Sequence, residues 1–122
     1  MAKKILIADD EPNIVISLEF LMKREGFDVT VATDGEEAVN RIRGERPDLV
    51  LLDVMMPKKS GFEVCQEIKA DPELQSIRIL MLTAKGRDTE VSKGLALGAD
   101  AYMTKPFSTK ELVERVRSML EN

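Results

Sequence analysis

Five short apolar segments alternate with helical segments along the 122-residue chain, and this alternation restricts the fold more than any other feature. The apolar segments are Ile5–Ala8, Phe27–Ala32, Leu49–Leu52, Ile77–Leu82 and Ala101–Thr104. Strands that alternate with helices form a mostly parallel sheet, because each right-handed crossover returns the chain to the same end of the sheet. We therefore predict an α/β fold with helices on both faces of a five-stranded parallel sheet.

The segments between the strands contain the signals that start and end helices. Pro12 suits the first position of a helix, where its missing N–H costs nothing. A polar acceptor three residues before a glutamate, the capping-box spacing, precedes three further helices. These pairs are Asp34/Glu37, Ser60/Glu63 and Ser108/Glu111. We predict the fourth helix from Asp88 to Leu97, with Gly98 in the position where glycine commonly ends a helix.

The composition of the strands indicates their order in the sheet. Ile5–Ala8, Leu49–Leu52 and Ile79–Leu82 are continuously apolar, as is typical of central strands covered on both faces. Phe27–Ala32 alternates apolar and polar residues, and Ala101–Thr104 is short and partly polar, so we assign both to the edges. This predicts a doubly wound, flavodoxin-like (βα)5 sheet of order 2-1-3-4-5. A ligand crevice is then expected beyond the carboxyl ends of strands one and three.

Composition excludes several classes of function. The chain has no histidine, and Cys65 is its single cysteine, so imidazole-dependent catalysis and zinc sites built from histidine or thiolate are excluded. The net charge of −4 argues against a nucleic-acid surface, which needs clustered lysine and arginine. The apolar segments are too short to span a bilayer. We expect one domain over residues 1–122 in the cytoplasm, without direct binding to nucleic acid or membrane.

Polar side chains end four of the predicted strands at the edge where the crevice should lie. They are Asp9-Asp10-Glu11 after strand one, Asp53 after strand three, Thr83-Ala84 after strand four and Lys105-Pro106 after strand five. Singly, each has an ordinary explanation as a helix cap, a turn residue, a strand terminus or a solvated cation. Together they crowd several carboxylates into one crevice, which like-charge repulsion disfavours unless a cation binds there.

The residue types at this edge favour phosphoryl chemistry with a hard divalent cation. Carboxylate ligands without histidine or thiolate select Mg²⁺, Mn²⁺ or Ca²⁺ rather than zinc, and Mg²⁺, with Mn²⁺ as a substitute, is the ion we expect. A strand-end carboxylate beside such an ion can attack a phosphoryl group and form an aspartyl phosphate. The transfer then depends on positioning and charge neutralisation, for which Lys105 offers an ammonium group, Thr83 a hydroxyl and Ala84 a backbone N–H.

Over essentially its whole length the chain resembles the receiver domain of bacterial two-component response regulators, the CheY-like family. The matching stretches are Ile5–Glu11, Leu51–Pro57 with Gly61, Leu82–Ala84, Gly98–Tyr102 and Lys105–Phe107. The resemblance implies that Asp53 takes a phosphoryl group from a sensor histidine kinase or a histidine phosphotransfer protein. It also implies that the surface of helix four, strand five and helix five then changes and regulates a protein partner. Such a switch assists its own phosphorylation and dephosphorylation but is not an enzyme in the usual sense.

The resemblance also implies the ligands of the metal ion. Asp10 would bind Mg²⁺ directly, and Asp9 would bind it at least through water. Asp53 and the backbone carbonyl of Met55 would complete the ligands that the protein provides.

The same resemblance implies how the phosphoryl group is bound and sensed. Lys105 and the backbone N–H of Ala84 would contact the phosphoryl oxygens. Thr83 would be the switch hydroxyl, and Tyr102 its aromatic partner that turns inward when Thr83 moves toward the phosphate. The peptide bond between Lys105 and Pro106 is expected to be cis, which is rare enough to be a specific prediction.

Other functions remain open at the level of sequence. The main alternative is a Mg²⁺-dependent phosphohydrolase with an aspartyl-phosphate intermediate, although Met55 stands where such enzymes place a second aspartate. The chain is either a stand-alone receiver or a fragment of a larger DNA-binding or enzymatic regulator. A flavin-binding module is disfavoured because no Gly/Ser/Thr-rich phosphate loop follows strand one. A scaffold that only resembles a receiver would be expected to lose Asp53 or Lys105, and both are present.

Oligomeric state and phosphoryl lifetime are also open. Glu111 and Arg115 match the charge pattern through which activated winged-helix regulators form dimers, whereas Val91 and Ala101 stand where the partner charges usually lie. We therefore expect a monomer or a weak, phosphorylation-dependent dimer. Lys85 flanks the path of the hydrolytic water in this family, and its effect on phosphoryl lifetime is undecided.

Overall fold

Strands and helices alternate through the part of the chain that the computed structural model describes, residues 2–84 and 88–121. In chain order the elements are β1 (Lys4–Ala8), α1 (Pro12–Arg24), β2 (Asp28–Ala32), α2 (Gly35–Glu45), β3 (Leu49–Asp53), α3 (Gly61–Ala70), β4 (Arg78–Ala84), α4 (Asp88–Ala96), β5 (Ala101–Lys105) and α5 (Thr109–Leu120). All neighbouring strands pair in parallel, in the order β2-β1-β3-β4-β5. This confirms the predicted doubly wound sheet. Lys85, to which the sequence assigned a place beside the water path, lies outside the described residues.

The helices begin and end where the local sequence satisfies their terminal backbone groups. All three predicted caps form, because each polar side chain accepts a hydrogen bond from the N–H of the glutamate three residues later. The pairs are Asp34 with Glu37, Ser60 with Glu63 and Ser108 with Glu111. Helix α4 ends at Ala96, one residue before the predicted end, and Gly98 follows it with φ of +108°. The positive φ lets the chain leave the helix, and Gly98 and Ala99 donate to the α4 carbonyls of Leu95 and Gly94.

Successive strand residues face opposite sides of the sheet, so the molecule has two apolar cores. One lies beneath α1 and α5 and includes Ile7, Leu51 and Leu82. The other lies beneath α2 and α3 and includes Leu52 and Ile79, among others. The strands β1 and β3 are buried apart from Lys4, as predicted for central strands. In the described part of the chain, the buried polar or charged side chains are Asp9, Asp53 and Thr83, and all three lie at strand ends.

The edge strands are those predicted, although β2 differs in detail. The sequence predicted that exposed and buried residues alternate in β2, but Val29, Thr30 and Val31 are all half-buried. The cause is that α1 and α2 cover the two faces of this edge strand. Phe27, assigned to the strand from the sequence, precedes it. None of the described helices has the length and apolar character required to cross a membrane.

Candidate functional site

The carboxyl ends of the central strands meet at one edge of the sheet, and this edge holds most of the predicted site. In the register of β1 and β3, Ala8 lies opposite Leu52, so the residues that follow, Asp9 and Asp53, are neighbours. Lys105 ends β5 opposite Ala84 of β4. Parallel pairing therefore brings together side chains that are far apart in the sequence, as the topology predicts.

Lys105 links the acidic side chains of two strands. Its Nζ donates hydrogen bonds to Asp9 Oδ2 at 3.1 Å and to Asp53 Oδ1 at 3.2 Å. Asp9 is fully buried, Asp53 is 6% exposed and the Lys105 side chain is 18% exposed. A carboxylate removed from water to this extent is strongly disfavoured without a cationic partner. The ammonium group of Lys105 therefore holds two buried carboxylates in place at once.

A third carboxylate, that of Glu11, also lies beside this ammonium group. Glu11 Oε1 is 3.6 Å from Lys105 Nζ, and the Glu11 side chain is 60% exposed. Sequence reasoning grouped Glu11 with the acids that could cap α1, but its side chain makes no capping hydrogen bond. The only signal in the sequence was its position directly after Asp9 and Asp10.

The acidic cluster fits a hard divalent cation. One carboxylate oxygen from each of Asp9, Asp10 and Asp53 lies within 4.8 Å of the other two. Asp9 is fixed on both sides, because its Oδ1 accepts from the Glu11 N–H at 2.9 Å while Oδ2 accepts from Lys105. An all-oxygen donor set with one exposed carboxylate, Asp10, suits Mg²⁺, which keeps several waters when it binds. Met55 lies in the loop after β3 with its side chain exposed, and the ligand role of its carbonyl stays a prediction.

Among the described residues of the cluster, negative charges outnumber positive ones, and this affects the pKa values of Asp53 and Lys105. Burial raises the pKa of Asp53 to about 6, and the neighbouring charges of Asp9 and Asp10 also raise it, while Lys105 lowers it. For Lys105, burial disfavours the charged form, but the carboxylates of Asp53 and Asp9 prevail and raise its pKa. The ammonium group is therefore firmly charged, and the Asp53 carboxylate binds a proton more readily than an ordinary aspartate does. Perturbation of this kind is common where a side chain takes part in chemistry.

The start of α3 packs closely against the backbone of Asp53 and Val54. The Gly61 N–H donates to the carbonyl of Val54 at 2.8 Å, and the Val54 N–H donates to Leu82 of β4 at 3.3 Å. A Cβ atom at position 61 would collide with the carbonyl oxygen of Asp53. Only glycine fits this position, since any side chain would displace either α3 or the end of β3.

Thr83 directly follows Leu82, the β4 residue opposite Asp53, and Tyr102 lies on the next strand; the two side chains differ in exposure. Thr83 is 1% exposed, and its hydroxyl has no hydrogen-bond partner among the described residues. Tyr102 lies on β5 opposite Met81 and is 42% exposed. Leaving a buried hydroxyl unpaired costs about 1–3 kcal/mol, so a partner for Thr83 in another state would be favourable. The Lys105–Pro106 peptide bond is cis, as predicted.

Comparison with known proteins agrees with this fold. A family model described as the response regulator receiver domain matches residues 5–117. A protein of Chloroflexus aurantiacus J-10-fl assigned as a response regulator is similar over the full length of both chains, with 34% identity and a TM-score of 0.96. The BeF3-activated DrrB receiver domain is similar over the full length of both chains, with 35% identity and a TM-score of 0.90. The chemotaxis response regulator CheY4 of Vibrio cholerae has 29% identity and a TM-score of 0.92 over 98% of this chain and all of that chain.

The chain therefore belongs to the response regulator receiver family, and its sheet is the CheY-like one. Receiver domains of this family are signalling switches of two-component systems rather than conventional enzymes, and they accept phosphoryl groups from histidine kinases.

Proposed function

We propose that Asp53 is the phosphoacceptor of a two-component switch formed by residues 1–122. The main support is the geometry around Lys105, whose ammonium group lies 3.2 Å from the nearly buried Asp53 and 3.1 Å from the fully buried Asp9. Burial raises the pKa of Asp53 to about 6, so this carboxylate is a stronger base than an ordinary one and a better nucleophile once ionised.

In the proposed transfer, a carboxylate oxygen of Asp53 attacks the phosphorus of a phosphohistidine on a sensor kinase or a histidine phosphotransfer protein. A P–O bond forms while the P–N bond breaks, and the electron pair and a proton go to the imidazole of the donor. Lys105 offsets the charge of the phosphoryl oxygens and the backbone N–H of Ala84 donates to one of them, so the chain assists its own modification. The same groups would assist hydrolysis of the aspartyl phosphate.

Mg²⁺ is the cation that this proposal assigns to Asp9, Asp10, Asp53 and the Met55 carbonyl, with Mn²⁺ as a substitute. When bound, it would neutralise negative charge on the transferring phosphoryl group. The protein contributes by holding Asp9 rigidly, through the Glu11 N–H and Lys105, so that the acidic cluster is formed before the donor arrives.

The output of the switch is proposed to pass through Thr83 and Tyr102. The buried hydroxyl of Thr83, which has no partner in the described part of the chain, would gain a phosphoryl oxygen, and the space that it leaves would admit the exposed ring of Tyr102. Tyr102 lines a groove of about 710 Å³ between α4 and α5, together with Leu95 and Glu111. Inward rotation of the ring would change the shape of this groove and hence its affinity for a protein partner.

The residues that line this groove also support a proposal about whether the protein forms dimers. Glu111 and Arg115 line it, whereas Ala101 offers no charge there and is buried. We propose that the protein is a monomer or forms a weak dimer when phosphorylated, and that it acts in the cytoplasm by binding a protein.

Incubation with Mg²⁺ and acetyl phosphate, followed by intact mass spectrometry, tests the proposed function. The wild type is expected to gain one phosphoryl group, and Asp53→Asn none. Asp28→Asn is the matched control, because Asp28 is an exposed aspartate at the start of β2, at the opposite end of the sheet, and should not alter the adduct. An adduct that persists in Asp53→Asn, or continuous turnover of an external phosphoester by the wild type, would contradict the proposal.

A further inference from the structure

Among the described residues, Glu11 is the most exposed of the three carboxylates beside the ammonium group on which the proposed transfer depends. Lys105 Nζ has Asp9 and Asp53 at hydrogen-bonding distance and Glu11 Oε1 at 3.6 Å. The Glu11 side chain is mostly exposed, while the two aspartates are buried. A group that approaches Lys105 from solvent therefore meets the carboxylate of Glu11.

The position of Glu11 is set by its backbone and not by a role in starting α1. Its N–H donates to Asp9 Oδ1 at 2.9 Å, and its carbonyl accepts from Val15 at 3.0 Å. Although Glu11 is the N-cap residue of α1, its side chain caps no N–H group. The carboxylate therefore makes no capping hydrogen bond at the helix start, and among the described residues it pairs with Lys105.

This placement opposes an incoming phosphoryl group in two ways. An ammonium group has three N–H donors, and two of those on Lys105 are directed to Asp9 and Asp53. A phosphoryl oxygen that reaches the remaining donor lies beside the Glu11 carboxylate, which is 3.6 Å from the same nitrogen. The negative charge of Glu11 also repels the phosphodonor molecule. By Coulomb's law, this repulsion grows with the negative charge that the phosphodonor carries.

We propose that Glu11 is a specificity-determining residue that disfavours small, doubly charged phosphodonors such as acyl phosphates. It thereby favours donors with less negative charge, in which the phosphoryl group is bound to nitrogen. The inference rests on the proposed function of Asp53 and adds the class of donor that the site prefers. With an acyl phosphate, the P–O bond to Asp53 forms as the P–O bond to the carboxylate breaks and the carboxylate leaves with the electron pair. With phosphoramidate, the P–O bond to Asp53 forms as the P–N bond breaks, and the nitrogen, already an –NH3+ group in the donor, takes the electron pair and leaves as ammonia.

The experiment measures the rate of adduct formation on Asp53 by intact mass at saturating Mg²⁺ with two donors. At neutral pH acetyl phosphate is a dianion, whereas phosphoramidate carries one fewer negative charge. Glu11→Gln should accelerate phosphorylation by about tenfold with acetyl phosphate and about threefold with phosphoramidate, because the repulsion removed scales with donor charge. Both gains should shrink in about 1 M salt, where the screening length falls to about 3 Å.

Two further variants separate charge from structure. Glu11→Asp keeps the charge and should retain most of the wild-type preference between donors. Glu19→Gln removes the same charge from the same helix, at a site that pairs with Lys23, and should leave both rates unchanged. Equal acceleration with both donors, a gain that salt does not reduce, or no gain at all would overturn the role of Glu11 while leaving Asp53 as the phosphoacceptor. A wild type that forms no adduct would overturn both proposals.

Discussion

Two lysine–aspartate pairs lie at opposite ends of the same sheet, and they are built differently. At the amino end, Lys69 Nζ donates to Asp100 Oδ2 at 3.0 Å, to the Ile77 carbonyl at 2.8 Å and to the Gln75 carbonyl at 3.0 Å. Asp100 Oδ2 also accepts from the Ile79 N–H at 2.8 Å. One carboxylate thus meets one ammonium group, and all three donors of the lysine have acceptors.

At the carboxyl end, within residues 2–84 and 88–121, one ammonium group faces three carboxylates, those of Asp9, Asp53 and Glu11. The carboxylate of Asp10 lies beside two of them. The pKa of Asp53 is raised to about 6, chiefly by burial. A fully hydrogen-bonded pair with one charge of each sign stabilises the fold. A cluster with more carboxylates than cations is destabilised by repulsion between its negative charges, which a bound cation or the loss of the charge on Asp53 would relieve. The comparison therefore separates a structural ion pair from the one to which we assign a function.

Replacing either Lys69 or Lys105 should have the largest effect on the free energy of unfolding. Lys69→Met and Lys105→Met should each lower the free energy of unfolding by about 2–4 kcal/mol in EDTA. Lys105→Met leaves two buried carboxylates without a cation, and Lys69→Met leaves the Asp100 carboxylate and two backbone carbonyls without their donor. Millimolar Mg²⁺ should recover much of the loss in Lys105→Met and none in Lys69→Met. Urea unfolding with and without Mg²⁺ measures both. Equal responses of the two variants to Mg²⁺ would break the distinction between the clusters.

A pair of glycine substitutions tests how tightly the carboxyl end is built. Gly61→Ala should lower the free energy of unfolding by about 1–3 kcal/mol, because the new Cβ would collide with the Asp53 carbonyl. Gly44 lies within α2, and a Cβ there would meet nothing within 4 Å. Gly44→Ala should therefore raise the free energy of unfolding by about 0.5–1 kcal/mol. Urea unfolding of both variants checks the signs, and a Gly61→Ala variant as stable as the wild type would contradict the close packing.

The raised pKa of Asp53 should give the wild type a dependence of stability on pH that Asp53→Asn lacks. Because the folded-state pKa of about 6 lies above the ordinary value of 3.8, the folded protein binds this proton more tightly than the unfolded chain. The contribution is complete below the unfolded pKa and is lost as pH rises through about 6. Asp53→Asn should therefore gain about 2 kcal/mol relative to the wild type between about pH 4 and about pH 7. Urea unfolding across this range tests it, and a constant difference between the two proteins would exclude the raised pKa.

Mg²⁺ alone should change the stability of the wild type less than the replacement of either lysine does. A free concentration ten times the dissociation constant stabilises the folded state by about 1.4 kcal/mol, which is roughly 3–6 °C in melting temperature for a chain of this size. Asp53→Asn should show a smaller shift, and Asp28→Asn should behave as the wild type does. Thermal melts in EDTA and in Mg²⁺ provide the measurement. A wild-type melt that does not respond to millimolar Mg²⁺ would argue against a metal site in the acidic cluster.

Most of the fold was predictable because its determinants are local. Helix caps such as Asp34 and Ser60 act within four residues, and continuous apolar strands such as Leu49–Leu52 identify the centre of a parallel sheet. The meeting of Asp9, Asp53 and Lys105 followed from topology, because the ends of parallel strands share an edge.

The ion pairs made by Glu11 and Asp100 were not predictable in the same way. Each joins residues from distant parts of the chain, and each depends on the direction of a side chain rather than on the order of strands. Asp100 lies in the Gly98–Tyr102 stretch that resembles the family, but a match in sequence does not identify Lys69 as its partner. The half-buried surface of β2 also escaped prediction, because it depends on how α1 and α2 pack on an edge strand.

The most direct test of the difference between the two clusters is urea unfolding of Asp53→Asn and Asp100→Asn side by side, in EDTA at neutral pH. Loss of the charge at Asp53 should relieve repulsion and raise the free energy of unfolding by about 1–2 kcal/mol. Loss of the charge at Asp100 should weaken its pair with Lys69 and lower the free energy of unfolding by about 1–3 kcal/mol. Opposite signs are the predicted result. If both variants were destabilised, the carboxyl-end cluster would be an ordinary structural ion pair, and the charge imbalance assigned to it would be wrong.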